Sequence, residues 1–123
     1  MLGDFMLKDR KILLGVTGGI AAYKAIDLAS RLTKAGASVR VILTEGAQQF
    51  ITPLSFRAIT DEPVATSLFD DTDPIPHINL PAWADLFVVA PATADVISRF
   101  ATGAGSDLLS SAMLSAACPK LVV

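Results

Sequence analysis

With a single cysteine, Cys118, and a single histidine, His77, the 123-residue chain cannot close an internal disulfide and lacks the clustered ligands of a structural zinc site, so no metal is expected. Charge of one sign is also missing. Asp and Glu number 12 against 10 Lys and Arg, a formal net charge of −2, and no basic cluster offers nucleic acid an electrostatic footprint, so that class of partner is excluded. Long apolar runs are absent: the best, Leu86-Phe87-Val88-Val89-Ala90, is closed by Asp85 and Pro91, whereas a bilayer span needs roughly 20 apolar residues. In the opening MLGDFMLKDRK the apolar residues are interrupted by Asp4, Lys8 and Asp9, which is no signal peptide, and a cytoplasmic protein without a membrane partner is expected. What the chain has in excess is apolar composition, 52% with mean hydropathy +0.54. A length that suits one domain and one core leaves that excess to a subunit interface, and a homo-oligomer is expected.

The order of elements follows from periodicity. Residues 1 to 10 read as a short leader. Lys11 to Val16 is apolar without alternation, the pattern of a strand buried on both faces of a parallel sheet. From Ile20 to about Ala35 the apolar residues keep helical spacing, with Gly36 as the stop, and Val39 to Leu43 is a second strand, completing a βαβ unit. Thr44 to Phe50 reads as a short helix, Thr52-Pro53 starts another, and Asp61-Glu62-Pro63 breaks it. Asp70 to Pro76 is a polar, proline-bearing loop. Leu86 to Ala90 is the next buried strand, followed by helices from about Thr93 to Ala101 and Asp107 to Ala117, and a strand beginning at Lys120. This alternation predicts an α/β fold: a doubly wound, Rossmann-like (flavodoxin-type) parallel sheet with helices on both faces.

At the carboxyl end of the first strand lies GVTGGIAAYK, Gly15 to Lys24, where a helix N-terminus offers free N–H groups and partial positive charge. The dinucleotide fingerprint fails, because its third and sixth positions are Thr17 and Ile20 and the second strand ends in Thr44 rather than an acid. The Walker pattern fails too, since Gly19 is followed by Ile20. A strand ending in Thr17-Gly18-Gly19, with Thr44 beside it, suits a terminal phosphate monoester: the glycines admit close backbone approach and the threonines add hydroxyl donors. A glycine turn that merely packs helix on sheet is the alternative. His77 has a pKa range suited to proton transfer or to holding a carboxylate, though a lone loop histidine is more often a surface residue. Cys118, in the apolar Ala116-Ala117-Cys118-Pro119, reads as a structural thiol, and Trp83 as packing.

Taken together, GVTGGIAAYK, TEGAQQFITPLSF (Thr44 to Phe56), HINL (His77 to Leu80), WADLFVVAPATADVI (Trp83 to Ile97) and GAGSDLLSSAMLSA (Gly103 to Ala116) resemble the flavin-containing cysteine decarboxylase family, in unbroken order over residues 10 to 123. The resemblance implies FMN as cofactor, its phosphate held by Thr17, Gly18, Gly19 and Thr44. It puts Phe50 near the flavin, and Pro91, Ala92, Thr93, Ala94 and Asp95 in the flavin-binding motif, with Asp95 where many members have Asn. It makes His77 the active-site histidine. The substrate it implies is a small molecule, 4'-phosphopantothenoylcysteine, decarboxylated in coenzyme A biosynthesis, in a homo-oligomer built of trimers, up to a dodecamer, with the flavin between subunits. In such a reaction the flavin takes electrons from the thiol carbon, so that the adjacent carboxylate can leave as carbon dioxide. The domain is expected to be residues 11 to 123, incomplete at its C-terminus, because family members continue into a Pro-Ala-Met-Asn carboxylate clamp and a cysteine-bearing flap. Cys118 is not the counterpart of that flap cysteine. Three other readings stay open: a peptidyl-cysteine decarboxylase, a flavin prenyltransferase and a non-catalytic flavin-binding subunit. The His77 motif and the absence of a Gly-Ala-Ser turn lean away from the prenyltransferase.

Overall fold

Lys11–Val16 carries apolar side chains on both faces, so it is stable only where both faces are covered, and it lies at the centre of the sheet. The computed structural model describes residues 7–67, 76–93, 97–98, 101 and 107–123. Within them β1 (Lys11–Val16), β2 (Ser38–Leu43), β3 (Val64–Ala65), β4 (Leu86–Val89) and β5 (Lys120–Val122) form one parallel sheet in the order β3-β2-β1-β4-β5. Alternate side chains of β1 go to opposite layers. Ile12, Leu14 and Val16 join Val39, Val41 and Leu43 of β2 beneath helices α1 (Tyr23–Lys34) and α2 (Pro53–Thr60), where Ala25, Ala29 and Phe56 are buried. Leu13 joins Phe87 and Val89 of β4 on the other face, covered by α3 (Pro76–Trp83) and α4 (Leu108–Ser115). A Cβ on Gly15 would stand 2.6 Å from Leu109 Cδ1, so the missing side chain is what seats α4 on the central strand.

Local chemistry sets the helix ends. After α1, Gly36 takes φ 98, its N–H bonds the Thr33 carbonyl at 3.1 Å and the Ala37 N–H bonds the Leu32 carbonyl at 3.1 Å. That paired closure is a Schellman cap, which only glycine enters without a Cβ penalty. Pro53 opens α2, where a missing N–H costs nothing, and Asp61 ends it at φ 55. Asp107 caps α4 through its carboxylate, which accepts the Ser110 N–H at 2.8 Å.

Three expectations change. The short helix read over Thr44 to Phe50 is only a 3-10 turn, Ala47–Gln49, because the Thr44 hydroxyl takes the Ala47 N–H at 3.2 Å and the chain turns extended at Thr52 before Pro53. Helix α1 is entered through a 3-10 turn, Ile20–Ala22, rather than directly at Ile20. Residues 76 to 83 are helical, so the backbone of His77 lies in the first turn of α3 and not in a loop. Pro76 is compatible with a first turn, but Pro81 within the helix and the lack of a polar stripe hid α3 from the periodicity. Most of the helix read over Thr93 to Ala101 falls outside the described residues. Ile97, Ser98 and Ala101 are helical, and the Ile97 N–H bonds the Thr93 carbonyl at 3.0 Å.

Candidate functional site

Strand order reverses at β1, whose two neighbours are β2 and β4. In a doubly wound sheet the crevice outside the carboxyl ends at this reversal is where ligands sit. Three segments meet there: the glycine turn after β1, the loop after β2 and the loop after β4. The first two touch directly. The Thr44 N–H bonds the Val16 carbonyl at 3.1 Å, extending the β1–β2 pairing past the strand ends. A Cβ on Gly18 would lie 2.9 Å from the carbonyl carbon of Gly46 and 3.1 Å from its oxygen, so Gly18 is glycine because two backbones cross there. Gly46 was not singled out from sequence. Its signal was a second small residue just beyond the second strand, facing the first turn.

Gly19 differs from Gly18. Its φ of 155 and ψ of 159 belong to a region that side-chain-bearing residues essentially do not enter. A Cβ built on it would meet nothing within 4 Å, so the space before it is open. Here the conformation rather than crowding demands glycine, and it bares the backbone at the start of the 3-10 turn leading into α1. No side chain caps that turn and no acid lies in its first residues or in the first turn of α1. Open space thus lies before a helix start that has neither a side-chain cap nor an acid in its first turn, the setting in which helix N-termini bind anions.

Of the residues expected to surround that anion, Thr44 is half-buried, and its hydroxyl accepts the Ala47 N–H while keeping a proton to donate. Thr17 is different. Its side chain is 0% exposed, its hydroxyl donates to the Pro91 carbonyl, and its oxygen accepts the Thr93 N–H at 3.2 Å. Thr17 thus joins the loop after β4 to the glycine turn and brings Pro91, Ala92 and Thr93 to the same edge. The Ala90 N–H bonds the Gly15 carbonyl at 2.9 Å and the Ala92 N–H bonds the Val123 carbonyl at 2.8 Å, seating that loop between β1 and β5.

Phe50 ends the 3-10 turn after β2 and is exposed. Ala94 and Asp95 lie outside the described residues. His77 is placed by its backbone alone. Helix α3 runs through two residues into the amino end of β4, so its first turn, which carries His77, is directed to the carboxyl edge of the sheet. At the other end of α3, the guanidinium of Arg40 on β2 stacks 4.3 Å from the Trp83 ring centre and pairs with Glu62 at 3.5 Å, fixing the helix on the sheet. Trp83 therefore packs, as expected from sequence. Cys118 is half-buried against the α3–α4 layer. Among the described residues no group of three or more His, Cys, Asp or Glu is placed to hold a metal, and no helix is long and apolar enough to cross a membrane.

A shallow cavity of about 190 Å³ opens on the flank of α1, lined by Ala21, Lys24, Ala25, Leu28, Ala90, Pro91 and Val123. Ligand pockets that enclose a drug-sized molecule hold roughly 300–1,000 Å³, so this cavity alone does not enclose a three-ring heterocycle.

Known proteins share the sequence and the fold. The chain is 49% identical over 118 residues to the coenzyme A biosynthesis bifunctional protein CoaBC of Vibrio vulnificus, covering 94% of this chain and 29% of that protein. It is 48% identical over 116 residues to CoaBC of Bacillus subtilis, covering 93% of this chain and again 29% of the relative. The chain thus spans under a third of the length of the curated relatives it matches. Among solved structures, the FMN-dependent cysteine decarboxylase SpaF superposes with a TM-score of 0.84 at 28% identity, over 94% of this chain and 68% of the other. A PPC decarboxylase mutant complexed with pantothenoylaminoethenethiol superposes with a TM-score of 0.78 at 27% identity, over 94% of this chain and 66% of the other. The flavoprotein family model matches residues 4–123, nearly the whole chain, and it is to this family that the chain belongs.

Proposed function

We propose that this chain is the flavin-binding part of a phosphopantothenoylcysteine decarboxylase, which converts 4'-phosphopantothenoylcysteine to 4'-phosphopantetheine and carbon dioxide in coenzyme A biosynthesis. The observation that carries the reading is the open glycine cradle at Gly19, facing an uncapped helix end, in a chain 49% identical to CoaBC. FMN suits this cradle better than FAD or a nicotinamide dinucleotide, because the turn offers one anion site and Thr44, directly after β2, stands where a dinucleotide site has the acid for its adenine ribose. When bound, FMN supplies the electron sink that a cysteine carboxylate lacks.

The remaining roles belong to the chain. The Gly18–Gly19 turn takes the phosphate, with the Thr44 hydroxyl as a further donor. Phe50 and the Pro91-Ala92-Thr93-Ala94-Asp95 segment form walls of the flavin site. His77 holds the substrate carboxylate or moves the thiol proton. The exposed Tyr23, Phe50 and Leu54 support a subunit interface, and the resemblance implies a homo-oligomer built of trimers, up to a dodecamer, in which a neighbouring subunit completes the flavin pocket. A cytoplasmic location accords with the composition.

Two measurements test the reading. Chromatography of the chromophore released from the denatured protein should give FMN, and recovery of FAD or a nicotinamide nucleotide would refute the cofactor assignment. Carbon dioxide should be released from phosphopantothenoylcysteine in preference to a peptide ending in cysteine. The reverse preference would make the protein a peptidyl-cysteine decarboxylase, and flavin binding without release by the full-length protein of which this chain is part would make it a non-catalytic subunit. For the assembly, light scattering at micromolar concentration should give a multiple of three chains, and a monomer mass would contradict it.

A further inference from the structure

A threonine that serves a phosphate must turn its hydroxyl proton toward the ligand, and Thr17 does not. The side chain is fully buried, although it sits in a turn whose next two residues are glycines in partial contact with solvent. Its one proton goes to the carbonyl of Pro91, and a lone pair takes the Thr93 N–H at 3.2 Å. A hydroxyl has a single proton, so the bond to Pro91 precludes one to a phosphate. The two bonds span 74 and 76 residues of sequence and bridge the turn after β1 to the loop after β4.

We propose that Thr17 is a positioning residue of the flavin site and not a ligand of the phosphate: it latches the 91–93 loop onto the glycine turn and sets the spacing of the loops that follow β1 and β4. The inference rests on the FMN reading above, but the latch itself exists without flavin. Backbone bonds of Ala90 and Ala92 already align the loop with β1 and β5. Those bonds lie at the strand ends, whereas the Thr17 hydroxyl holds the loop from the glycine turn at Pro91 and Thr93, on either side of Ala92. Valine in its place would keep the shape and burial while leaving the Pro91 carbonyl and the Thr93 amide without this partner, the costly way to lose a buried hydrogen bond.

The test compares Thr17→Val and Thr17→Ser with the unaltered protein, reading Thr93 amide hydrogen exchange in the flavin-free state and the dissociation constants of FMN and of riboflavin, which has no phosphate. In the valine variant Thr93 exchange should accelerate about tenfold, and FMN and riboflavin should weaken by the same factor, about tenfold. Serine should restore all three to within about threefold, because it keeps the hydroxyl. Loss of FMN affinity with riboflavin affinity and Thr93 exchange unchanged would make Thr17 a phosphate ligand and overturn the proposal. No change in any of the three would overturn it as well. If the valine variant does not fold, a crystal structure of the unaltered protein with FMN decides: Thr17 Oγ on the Pro91 carbonyl supports the latch, and Oγ turned to a phosphate oxygen refutes it. Failure of the unaltered protein to bind FMN would refute the cofactor reading alone, since the exchange measurement is made without flavin.

Discussion

Replacing Gly18 by aspartate is expected to abolish flavin retention, with FMN affinity falling about a hundredfold or more. Two faults combine. The new Cβ would lie 2.9 Å from the Gly46 carbonyl carbon, a backbone atom that cannot swing aside, so the loops after β1 and β2 must part. The carboxylate would also occupy the helix end that the phosphate needs. An acid there stabilises the helix by about 0.3–1 kcal/mol, but its repulsion of a phosphate some 4 Å away is worth roughly 1–4 kcal/mol per unit charge between water and a partly buried site. The second effect wins for binding. Gly18→Ala carries the same Cβ without the charge and should weaken FMN about tenfold, which separates crowding from electrostatics. Flavin absorbance of the purified variants and titration of the flavin-free proteins give both numbers. A yellow aspartate variant with unchanged affinity would place the phosphate elsewhere.

His77→Asn should lower carbon dioxide release from phosphopantothenoylcysteine by about 10²–10⁴-fold, the range for loss of a general acid or base. Flavin content should be unchanged. Asparagine keeps hydrogen-bonding capacity but cannot exchange a proton near neutral pH, so the contrast isolates proton transfer from simple binding. If the loss appears in KM and not in kcat, His77 holds the carboxylate and moves no proton. An unaffected variant would remove His77 from the mechanism altogether. The helical position of its backbone bears on the choice of partner for this test: a substitution at exposed Ile78, next in the same turn of α3, should leave kcat within about twofold if the effect belongs to the imidazole rather than to the helix.

The sequence made legible whatever is decided by near neighbours. Strands β1 and β4 show as unbroken apolar runs because each is covered on both faces, and Gly36 marks the end of α1 because a Schellman cap requires it. The turn of Thr17, Gly18 and Gly19 was legible as a place that demands glycine, since close approach at Gly18 and positive φ at Gly19 both select it. Features set by distant contacts were not legible. Strand β3 is two residues long and exists through pairing of Val64 and Ala65 with Val41 and Ile42 of β2. Helix α3 has no amphipathic pattern and contains Pro81, and it is held by packing on α4 and by the stack of Arg40 on Trp83. Gly18 is glycine because the Gly46 backbone lies against it across a gap between loops, which no local pattern records. The partner of Thr17 was hidden for the same reason: the residue type suggests a donor to a ligand, and only the fold brings the Pro91 carbonyl within reach of its proton.

The position of β1 in the sheet also sets a clock. Its N-terminal residue is clasped by Asp85, whose carboxylate accepts the Lys11 N–H at 2.9 Å and whose own N–H bonds the Lys11 carbonyl at 2.7 Å, across 74 residues. At roughly 5–20 residues per second of synthesis, that partner emerges several seconds after β1 does. For that interval β1, α1 and β2 can pair, but one edge of the most apolar strand stays open, a template for any other extended chain nearby. Docking of β4 closes the edge of β1, brings the loop after β4 against the glycine turn and passes the open edge to β4, which keeps it until β5 arrives. The candidate site therefore comes together as the central strand is covered, and slow elongation between Leu43 and Leu86 should lower yield more than the same delay anywhere before it.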